Sequence, residues 1–513
     1  MSTSLNANRR TAELATIAGG TPVDLLVVGG GVTGAGTALD AATRGLSVCL
    51  IDAHDLAFGT SRWSSKLVHG GLRYLAKGDV GLAYESAAER GILMTTVAPH
   101  LTRALPQLIP LHRKVSGRDA SIAMAGLVAG DALRRAARTP TKLLPAPRRV
   151  PTEEAIALAP GLRRHGLRGG LLSFDGQLTD DARLVVALAR TAAGFGATVL
   201  TKVRATSLDR GGAEARDEVT GETFRINAKA VVNATGVWAG DLVESVRLRP
   251  SRGTHLVLAA ERAGVLGTAL TVPVPGETNR FVLLLPQDDG RLYLGLTDEP
   301  VTGAIPDVPE VPESDLDFLL SVASSVLEIP LRRNDVLGAF AGLRPLVDQP
   351  GIGRSADLSR HHAVLTSPEG VVTVVGGKLT TYRRMAQDAV DAVVAARGMT
   401  VAPSRTKSTP LVGAAHRRAL SVMDAPRRLV SRYGTEAGRV AALAALDDEL
   451  AEPIADGVTA AEVVWAVRHE GALDAADVLD RRTRIGLVPT DRADALPRVS
   501  DVVARSLAGL PEG

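Results

Sequence analysis

The residues best suited to chemistry lie between Asp24 and Asp52, where three glycines and a carboxylate follow a fixed spacing. Gly29, Gly31 and Gly34 form the pattern G-x-G-x-x-G. The first glycine of this pattern allows a sharp turn, the second lets the backbone approach a phosphate, and the third lets a helix pack close to a strand. Asp52 can accept hydrogen bonds from ribose hydroxyls. The set predicts a binding site for the pyrophosphate and ribose of a dinucleotide.

These residues need a strand, a helix and a second strand to hold them in place. Residues 25–28 form a short apolar run that is typical of a buried parallel strand. Residues 34–44 predict a helix whose N-terminus faces the phosphates, and residues 46–51 predict the second strand. Because the order of strand, turn, helix, strand and acid is complete, a glycine turn without a ligand is the weaker interpretation.

Two later apolar strands also end in glycine turns. Residues 228–233 lead into NATGVWAG, and residues 371–375 lead into GGKLTTYRRMA. Strands of this kind form one sheet, and ligands bind beyond the carboxyl ends of its strands. The helix after Gly377 would aim its N-terminus at the same crevice, where it would stabilise the negative charge of a reduced flavin. This second turn favours FAD over a nicotinamide cofactor.

The composition indicates a folded α/β protein of more than one domain. The chain has 513 residues, of which 45% are hydrophobic, so two or three domains are expected. Its net charge of +3 suits an acidic substrate or an anionic membrane surface and is too small to indicate nucleic acid. The single cysteine, Cys49, favours a reducing, cytoplasmic compartment. Neither a secretory signal, a membrane-spanning run of about 20 apolar residues nor a metal site is predicted.

The chain divides into three parts by its patterns of polar and apolar residues. Residues 1–22 are expected to form a flexible tail, and residues 23–404 an FAD-binding domain interleaved with a substrate domain, the latter mainly residues 100–175 and 241–350. Residues 255–300 alternate as an antiparallel sheet does, and residues 405–513 carry helical patterns. The predicted fold class is therefore α/β, with a Rossmann-like FAD-binding domain, an antiparallel-sheet substrate domain and a C-terminal all-helical domain.

Residues 112–149 are unusually basic and enclose the apolar segment SIAMAGLVAGDAL. Two interpretations are open. The segment is either a solvated helix with an apolar underside or a basic amphipathic surface that rests on anionic lipid. On the second interpretation, neutralising Arg134, Arg135 and Arg138 should weaken binding to anionic vesicles.

The segments VVGGGVTGAG, SSKLVHGGLRYL, NATGVWA, GLRPL and GGKLTTYRRMA together resemble those of the FAD-dependent glycerol-3-phosphate dehydrogenases of aerobic bacteria. The resemblance covers about residues 23–490. It implies oxidation of sn-glycerol 3-phosphate to dihydroxyacetone phosphate, with hydride transfer to FAD and electrons passed on to a membrane quinone. It also implies a cytoplasmic protein that lies on the inner face of the cell membrane, and it is compatible with a homodimer.

The resemblance assigns roles to individual residues. His255 is the candidate base for the substrate hydroxyl, and with Arg344 and Lys378 it forms the expected catalytic set. The residues expected to bind the substrate are Arg73, Tyr74, Arg344, Arg360 and Lys378. The residues expected to bind FAD are Gly29, Gly31, Gly34, Asp52, Ser64, Ser65, His69, Gly70, Val203, Thr235, Gly236, Gly377, Leu379 and Thr380.

Two other function classes remain open from the residues alone. One is a flavin oxidase that uses oxygen, or a related enzyme acting on an amine or another hydroxy acid. The other is a flavin-binding scaffold without turnover. Four departures from the family pattern are visible. Asp52 stands where glutamate is more usual, and Arg62 and Trp63 replace smaller residues. The region after Arg344 is shortened, and the apolar patch at 121–133 lacks aromatic side chains.

Overall fold

The structure is a computed structural model that describes residues 2–71, 74–75, 78–113, 115–277, 280–348 and 361–510. Two large sheets and a C-terminal group of helices account for the architecture. The first sheet carries the dinucleotide motif, and the second sheet lies beside it. The cavity described below lies where the two sheets meet.

The first sheet places the glycine turn at its centre. Val23–Val28 pairs in parallel with Val48–Asp52 on one side and with Thr223–Asn233 on the other. Thr198–Thr201 and Val372–Gly376 extend the parallel part at the two flanks. Because these strands run the same way, their carboxyl ends meet at one edge of the sheet. Antiparallel strands complete the sheet at Val203–Asp209, Gly212–Asp217 and His362–Thr366.

Apolar helices cover this sheet. Val32–Thr43 packs between Asp181–Gly194 and Tyr382–Arg397, and the three helices share a core with the parallel strands. The first of them begins two residues before the predicted start at Gly34. Gly31, in extended conformation, is its N-terminal cap, so the second and third glycines of the motif lie on either side of the helix start.

The expected flexible tail differs from the structure. Residues Ala7–Ala18 form a helix, which begins because the side chain of Asn6 accepts a hydrogen bond from the amide of Arg9 at 2.9 Å. Arg10 pairs with Asp217 of the first sheet, and Ile17 is buried in that sheet's second core. The segment is therefore folded against the first sheet.

The second sheet is largely antiparallel and has its own apolar core. Its longest neighbours, Thr102–His112 and Leu167–Leu178, pair along most of their length. Ser251–Ala259 pairs with Val336–Arg344 at the other end. The remaining strands of this sheet are Leu67–Val68, Arg148–Val150, Ala269–Pro273, Phe281–Pro286, Arg291–Gly295 and Glu299–Pro300. Helices associated with the two sheets are Val80–Ile92, Gly117–Ala136, Thr152–Leu158, Ala239–Leu242, Ala260–Ala263 and Glu313–Ser324.

The C-terminal part is helical, with one short hairpin that pairs Pro453–Ala455 with Val458–Thr459. Its helices are Arg417–Ser421, Arg427–Tyr433, Ala437–Leu446, Asp448–Ala451, Ala460–His469, Ala475–Asp477 and Pro489–Ala508. Buried ion pairs join it to the FAD-binding domain, with Arg482 donating to Asp55 at 2.7 Å and Arg183 pairing with Glu470. Each of these four buried charges has an opposite charge as its partner, which offsets the cost of its burial.

Candidate active site

A cavity of about 2090 Å³ opens at the carboxyl ends of the parallel strands and continues along residues of the second sheet. Its wall includes Gly29 from the dinucleotide turn, His255 from the second sheet and Lys378 from the late glycine turn. The two sheets and the late turn thus bring three distant segments to one space. This is the crevice at which ligands of open α/β sheets bind.

The glycine turn forms a cradle that side chains would fill. Gly29 has φ +109°, and a β-carbon there would lie 2.6 Å from the carbonyl oxygen of Ala234. A β-carbon at Gly34 would overlap the carbonyl oxygen of Gly29. The helix that begins at Val32 presents its N-terminal end to the cavity. Such a bare backbone surface at a helix N-terminus fits the pyrophosphate of FAD.

The carboxylate of Asp52 lies at the end of the second strand, on the cavity wall. It accepts hydrogen bonds from the amides of Gly30 at 2.6 Å and His54 at 2.8 Å. Burial raises the pKa of Asp52 to about 6, and the two amide hydrogen bonds oppose that rise. An ionised carboxylate has about four acceptor positions, so it can also accept the ribose hydroxyls of FAD.

This carboxylate predicts a pH dependence of FAD affinity. The ribose hydroxyls donate to the ionised form, so FAD binding favours loss of the Asp52 proton. With a pKa of about 6 in the apoprotein, FAD should bind about tenfold more weakly at pH 5 than at pH 7. Titrating apoprotein with FAD across this range measures the effect. Asp52→Asn should bind FAD weakly and without this slope; a slope unchanged in Asp52→Asn would contradict the assignment.

The late glycine turn and the third strand end close the other side of the cradle. Thr235 donates to Asn233 through its amide at 3.3 Å and its hydroxyl at 2.7 Å. Gly236 and Gly377 have φ +63° and +66°. The hydroxyl of Thr380 accepts a hydrogen bond from the amide of His69 at 3.2 Å. Thr235, Gly236, His69, Gly377, Leu379 and Thr380 all line the cavity.

The segment SSK forms a tight turn at the cavity wall. Ser64 donates to Asp181 from its amide at 2.9 Å and from its hydroxyl at 2.7 Å. Lys66, which is 1% exposed, pairs with the same carboxylate at 2.9 Å. Ser65 is at the centre of the turn, and its Oγ atom lies 2.8 Å from Nε2 of His255. The sequence analysis did not single out Lys66 or Asp181, because they are 115 residues apart and their pairing is visible only in the fold.

His255 is deeply buried for a candidate base. It is 1% exposed, and its ring stacks on Phe340 with the centroids 4.9 Å apart. Burial and the positive charges of Lys66 and Arg344 lower the pKa of His255 to about 3. The imidazole is therefore neutral at physiological pH in the protein without substrate, which is the form that accepts a proton.

The cationic residues lie on the same cavity wall. Arg344 donates to the hydroxyl of Ser251 at 3.2 Å and to the carbonyl of Thr297 at 2.9 Å, which fixes the plane of its guanidinium. The ammonium of Lys378 lies 4.5 Å from the ring centroid of Tyr74. Arg344, Lys378 and Tyr74 all line the cavity. This arrangement can hold a small dianion such as a phosphate monoester.

Two expected residues are not described by the structure, and two others do not line the cavity. Arg73 and Arg360 lie outside the described residues. The amide of Gly70 donates to the carboxylate of Asp175 at 3.2 Å, and Gly70 does not line the cavity. The side chain of Val203 is buried in the core of the first sheet. The residues that line the cavity beside it are Arg204 and Ala205.

Asp175 is a further polar residue of the cavity wall that the sequence analysis missed. It pairs with Arg90 at 2.6 Å and so holds the loop after His69 in place. A lone aspartate in a strand gives no sequence signal for such a role. Among the described residues, no group of three or more His, Cys, Asp or Glu side chains is arranged to bind a metal ion.

The chain matches two protein-family models. The model of the FAD dependent oxidoreductase family matches residues 24–383, and that of the C-terminal domain of alpha-glycerophosphate oxidase matches residues 404–509. The chain is 53% identical over 512 residues to glycerol-3-phosphate dehydrogenase 1 of Mycobacterium tuberculosis strain H37Rv, covering 98% of this chain and 99% of the relative.

Solved structures are also similar. The glycerol-3-phosphate dehydrogenase of Bacillus halodurans, complexed with FAD, has a TM-score of 0.76 and 27% identity over 98% of this chain and 96% of that chain. The FAD-bound L-alpha-glycerophosphate oxidase of Mycoplasma pneumoniae, at 18% identity and a TM-score of 0.55, covers 76% of this chain and 99% of that chain. At that identity the likeness shows the fold alone.

These matches confirm the predicted fold class, an α/β FAD-binding fold with an antiparallel substrate sheet and a helical C-terminal part. They also confirm FAD as the cofactor, in keeping with the bare glycine cradle beside Asp52. With 53% identity over nearly its full length, the chain belongs to the family of FAD-dependent glycerol-3-phosphate dehydrogenases.

Proposed function

We propose that the chain oxidises sn-glycerol 3-phosphate to dihydroxyacetone phosphate and passes the electrons to a membrane quinone. The relatives' names support the substrate. The observation that carries the proposal is that His255, Arg344 and Lys378 line one cavity together with the dinucleotide cradle. A phosphate, a hydroxyl and a cofactor can therefore be bound within a single space.

Each residue has a distinct task in this reaction. Arg344 and Lys378 bind the two negative charges of the phosphate, and the fixed guanidinium plane of Arg344 suits a bidentate contact. Tyr74 places its ring against Lys378 and orients the ammonium. His255 receives the proton that leaves the substrate hydroxyl. FAD, when bound, accepts the hydride from the carbon that carries this hydroxyl.

The substrate is tested by turnover with an artificial electron acceptor. We expect rapid turnover with glycerol 3-phosphate, weak turnover with glycerol because glycerol offers no phosphate for Arg344 and Lys378 to bind, and no turnover with glycine or proline. Equal turnover with glycerol and glycerol 3-phosphate would contradict the role given to the cations.

The acceptor is tested separately, because an oxygen-using oxidase with the same cavity is the competing function. With a soluble quinone analogue present, we expect substrate oxidation to match quinone reduction and peroxide to stay low. Stoichiometric peroxide with no effect of the quinone would identify an oxidase.

The basic surface at 112–149 supports a position at an anionic membrane. Gly117–Ala136 is one helix, on which Ile122 is 61% and Val128 52% exposed. The sequence interpretation that puts Arg134 on the lipid-facing surface is wrong. Arg134 is 3% exposed and pairs with Asp131 at 2.6 Å. It is therefore not available to lipid. Among the described residues, no helix is both long and apolar enough to cross a bilayer.

The vesicle prediction therefore moves to the exposed arginines of this region. Replacing Arg118, Arg135 and Arg138 by glutamine should weaken binding to phosphatidylserine-containing vesicles about 10²-fold, since each cation near such a surface contributes about 1 kcal/mol. Co-sedimentation at low salt measures this. The matched Arg→Lys triple variant keeps the charges and should bind as the wild type does. Unchanged sedimentation of the glutamine variant would favour a merely solvated helix.

A homodimer is a separate prediction, which light scattering tests.

A further inference from the structure

The candidate base does not reach the cavity by a free ring nitrogen. Nε2 of His255 lies 2.8 Å from Oγ of Ser65. Nδ1 is buried and has no hydrogen-bond partner among the described residues. The whole side chain is 1% exposed, whereas Ser65 is partly exposed on the cavity wall. The serine hydroxyl is thus the polar group through which the imidazole meets the cavity.

The turn that carries this hydroxyl is rigidly held. Asp181 accepts hydrogen bonds from the amide and hydroxyl of Ser64 and from the ammonium of Lys66. Lys66 also donates to the carbonyl oxygen of Arg62 at 2.6 Å, so both ends of the turn are fixed. Lys66 and Asp181 are each buried, which makes the pair costly to separate. A group held in this way keeps its geometry through a reaction.

The ring of His255 is fixed as well. It stacks nearly parallel to Phe340, at an interplanar angle of 11°. Gly295 of the neighbouring strand also contacts the ring. A β-carbon at Gly295 would collide with the imidazole, so the backbone of that strand packs directly against His255. The Ser65–His255 contact therefore joins two groups that their neighbours hold in place, of which Ser65 is partly exposed and His255 is almost fully buried.

We propose that Ser65 relays the proton of the substrate hydroxyl to His255. This inference rests on the proposed function and adds a residue to it. As the C–H bond of the alcohol carbon breaks and its hydride passes to FAD, the O–H bond breaks too. Oγ of Ser65 takes that proton and gives its own to Nε2 of His255. The alcohol becomes a ketone, two electrons enter FAD, and one proton rests on the imidazole.

The charges around the pair make this relay dependent on the substrate. Burial is the main cause that opposes a positive imidazole at His255, and the cations Lys66 and Arg344 add to it. A phosphate dianion bound against Arg344 offsets that opposition. The imidazole therefore gains its proton affinity when the substrate is in place, and it stays neutral before.

Two substitutions at Ser65 test the relay. Ser65→Ala should slow anaerobic flavin reduction by glycerol 3-phosphate by about 10²-fold or more, the usual contribution of a proton-transfer group. Ser65→Thr keeps a hydroxyl and should stay within about tenfold of the wild-type rate. Both variants are first loaded with FAD to full occupancy, because Ser65 is also an expected FAD contact. The dissociation constant of dihydroxyacetone phosphate, measured by calorimetry on this loaded protein without turnover, should change less than about threefold in both. A merely structural serine would alter this constant.

A double variant sharpens the test. If Ser65 and His255 act as one unit, Ser65→Ala combined with His255→Gln should be no slower than the slower single variant. Additive losses would overturn the relay, as would an alanine variant that reduces its flavin within threefold of the wild type. A threonine variant that binds FAD and product normally yet reacts as slowly as His255→Gln would overturn it too. If the wild-type flavin itself is not reduced by glycerol 3-phosphate, the proposed function fails instead.

Discussion

Gly34→Ala is expected to yield a protein that is purified without its FAD. A β-carbon at this position would overlap the carbonyl oxygen of Gly29, which is backbone and cannot rotate away. The helix Val32–Thr43 must then move from the strand before it, and its N-terminal amides leave the phosphates. Losing two amide hydrogen bonds to a charged group costs about 3 kcal/mol or more, so FAD should bind at least about 10²-fold more weakly.

The matched control is Gly438→Ala. Gly438 lies exposed in the helix Ala437–Leu446, and a β-carbon there meets no atom within 4 Å. This variant should keep its FAD and gain slightly in stability, because alanine is the better helix former. Flavin absorbance per protein, together with a titration of apoprotein with FAD, measures both. Wild-type affinity in Gly34→Ala would show that the turn is not the pyrophosphate site.

Arg344→Ala is expected to raise KM for glycerol 3-phosphate about 10²-fold, because a charge-assisted hydrogen-bond pair to phosphate contributes about 3 kcal/mol. FAD content should remain near that of the wild type. The guanidinium is held at the cavity wall by Ser251 and Thr297, neither of which belongs to the dinucleotide cradle. Substrate binding and cofactor binding are therefore separable at this residue.

Two controls accompany this prediction. Arg344→Lys keeps the charge without the planar fork and should recover part of the lost affinity. Arg333→Ala removes an exposed arginine that pairs with Asp317 away from the cavity and should leave KM unchanged. Steady-state kinetics on FAD-replete protein supply the numbers. Equal loss of FAD and of substrate affinity in Arg344→Ala would mean that the arginine only ties down its loop.

Local signals in the sequence were enough to predict the dinucleotide unit. The glycine spacing and the apolar runs predict the turn, the helix and both strands, because these depend on neighbours within about 30 residues. The element starts were displaced by two residues: the helix begins at Val32 and not at Gly34, and the strands begin at Val23 and Val48 and not at residues 25 and 46. The late glycine turn was also predicted, since Gly377 and the segment after it line the same cavity.

Contacts between distant segments could not be predicted in this way. Lys66 and Asp181 can pair only when the helix Asp181–Gly194 is placed against the SSK turn. The burial of Arg134 depends on which face of its helix packs inward, and charge patterning alone does not show that. The helix Ala7–Ala18 is stabilised mainly by the sheet it covers, which a weak local pattern does not reveal.

The most direct test of the account is an anaerobic titration of the FAD-loaded protein with glycerol 3-phosphate, followed by flavin absorbance. We predict complete bleaching of the flavin by a small excess of substrate, with one molecule of dihydroxyacetone phosphate formed per flavin. Glycerol at the same concentration should leave the spectrum unchanged. A flavin that dithionite reduces but glycerol 3-phosphate does not would contradict the assignment of this cavity.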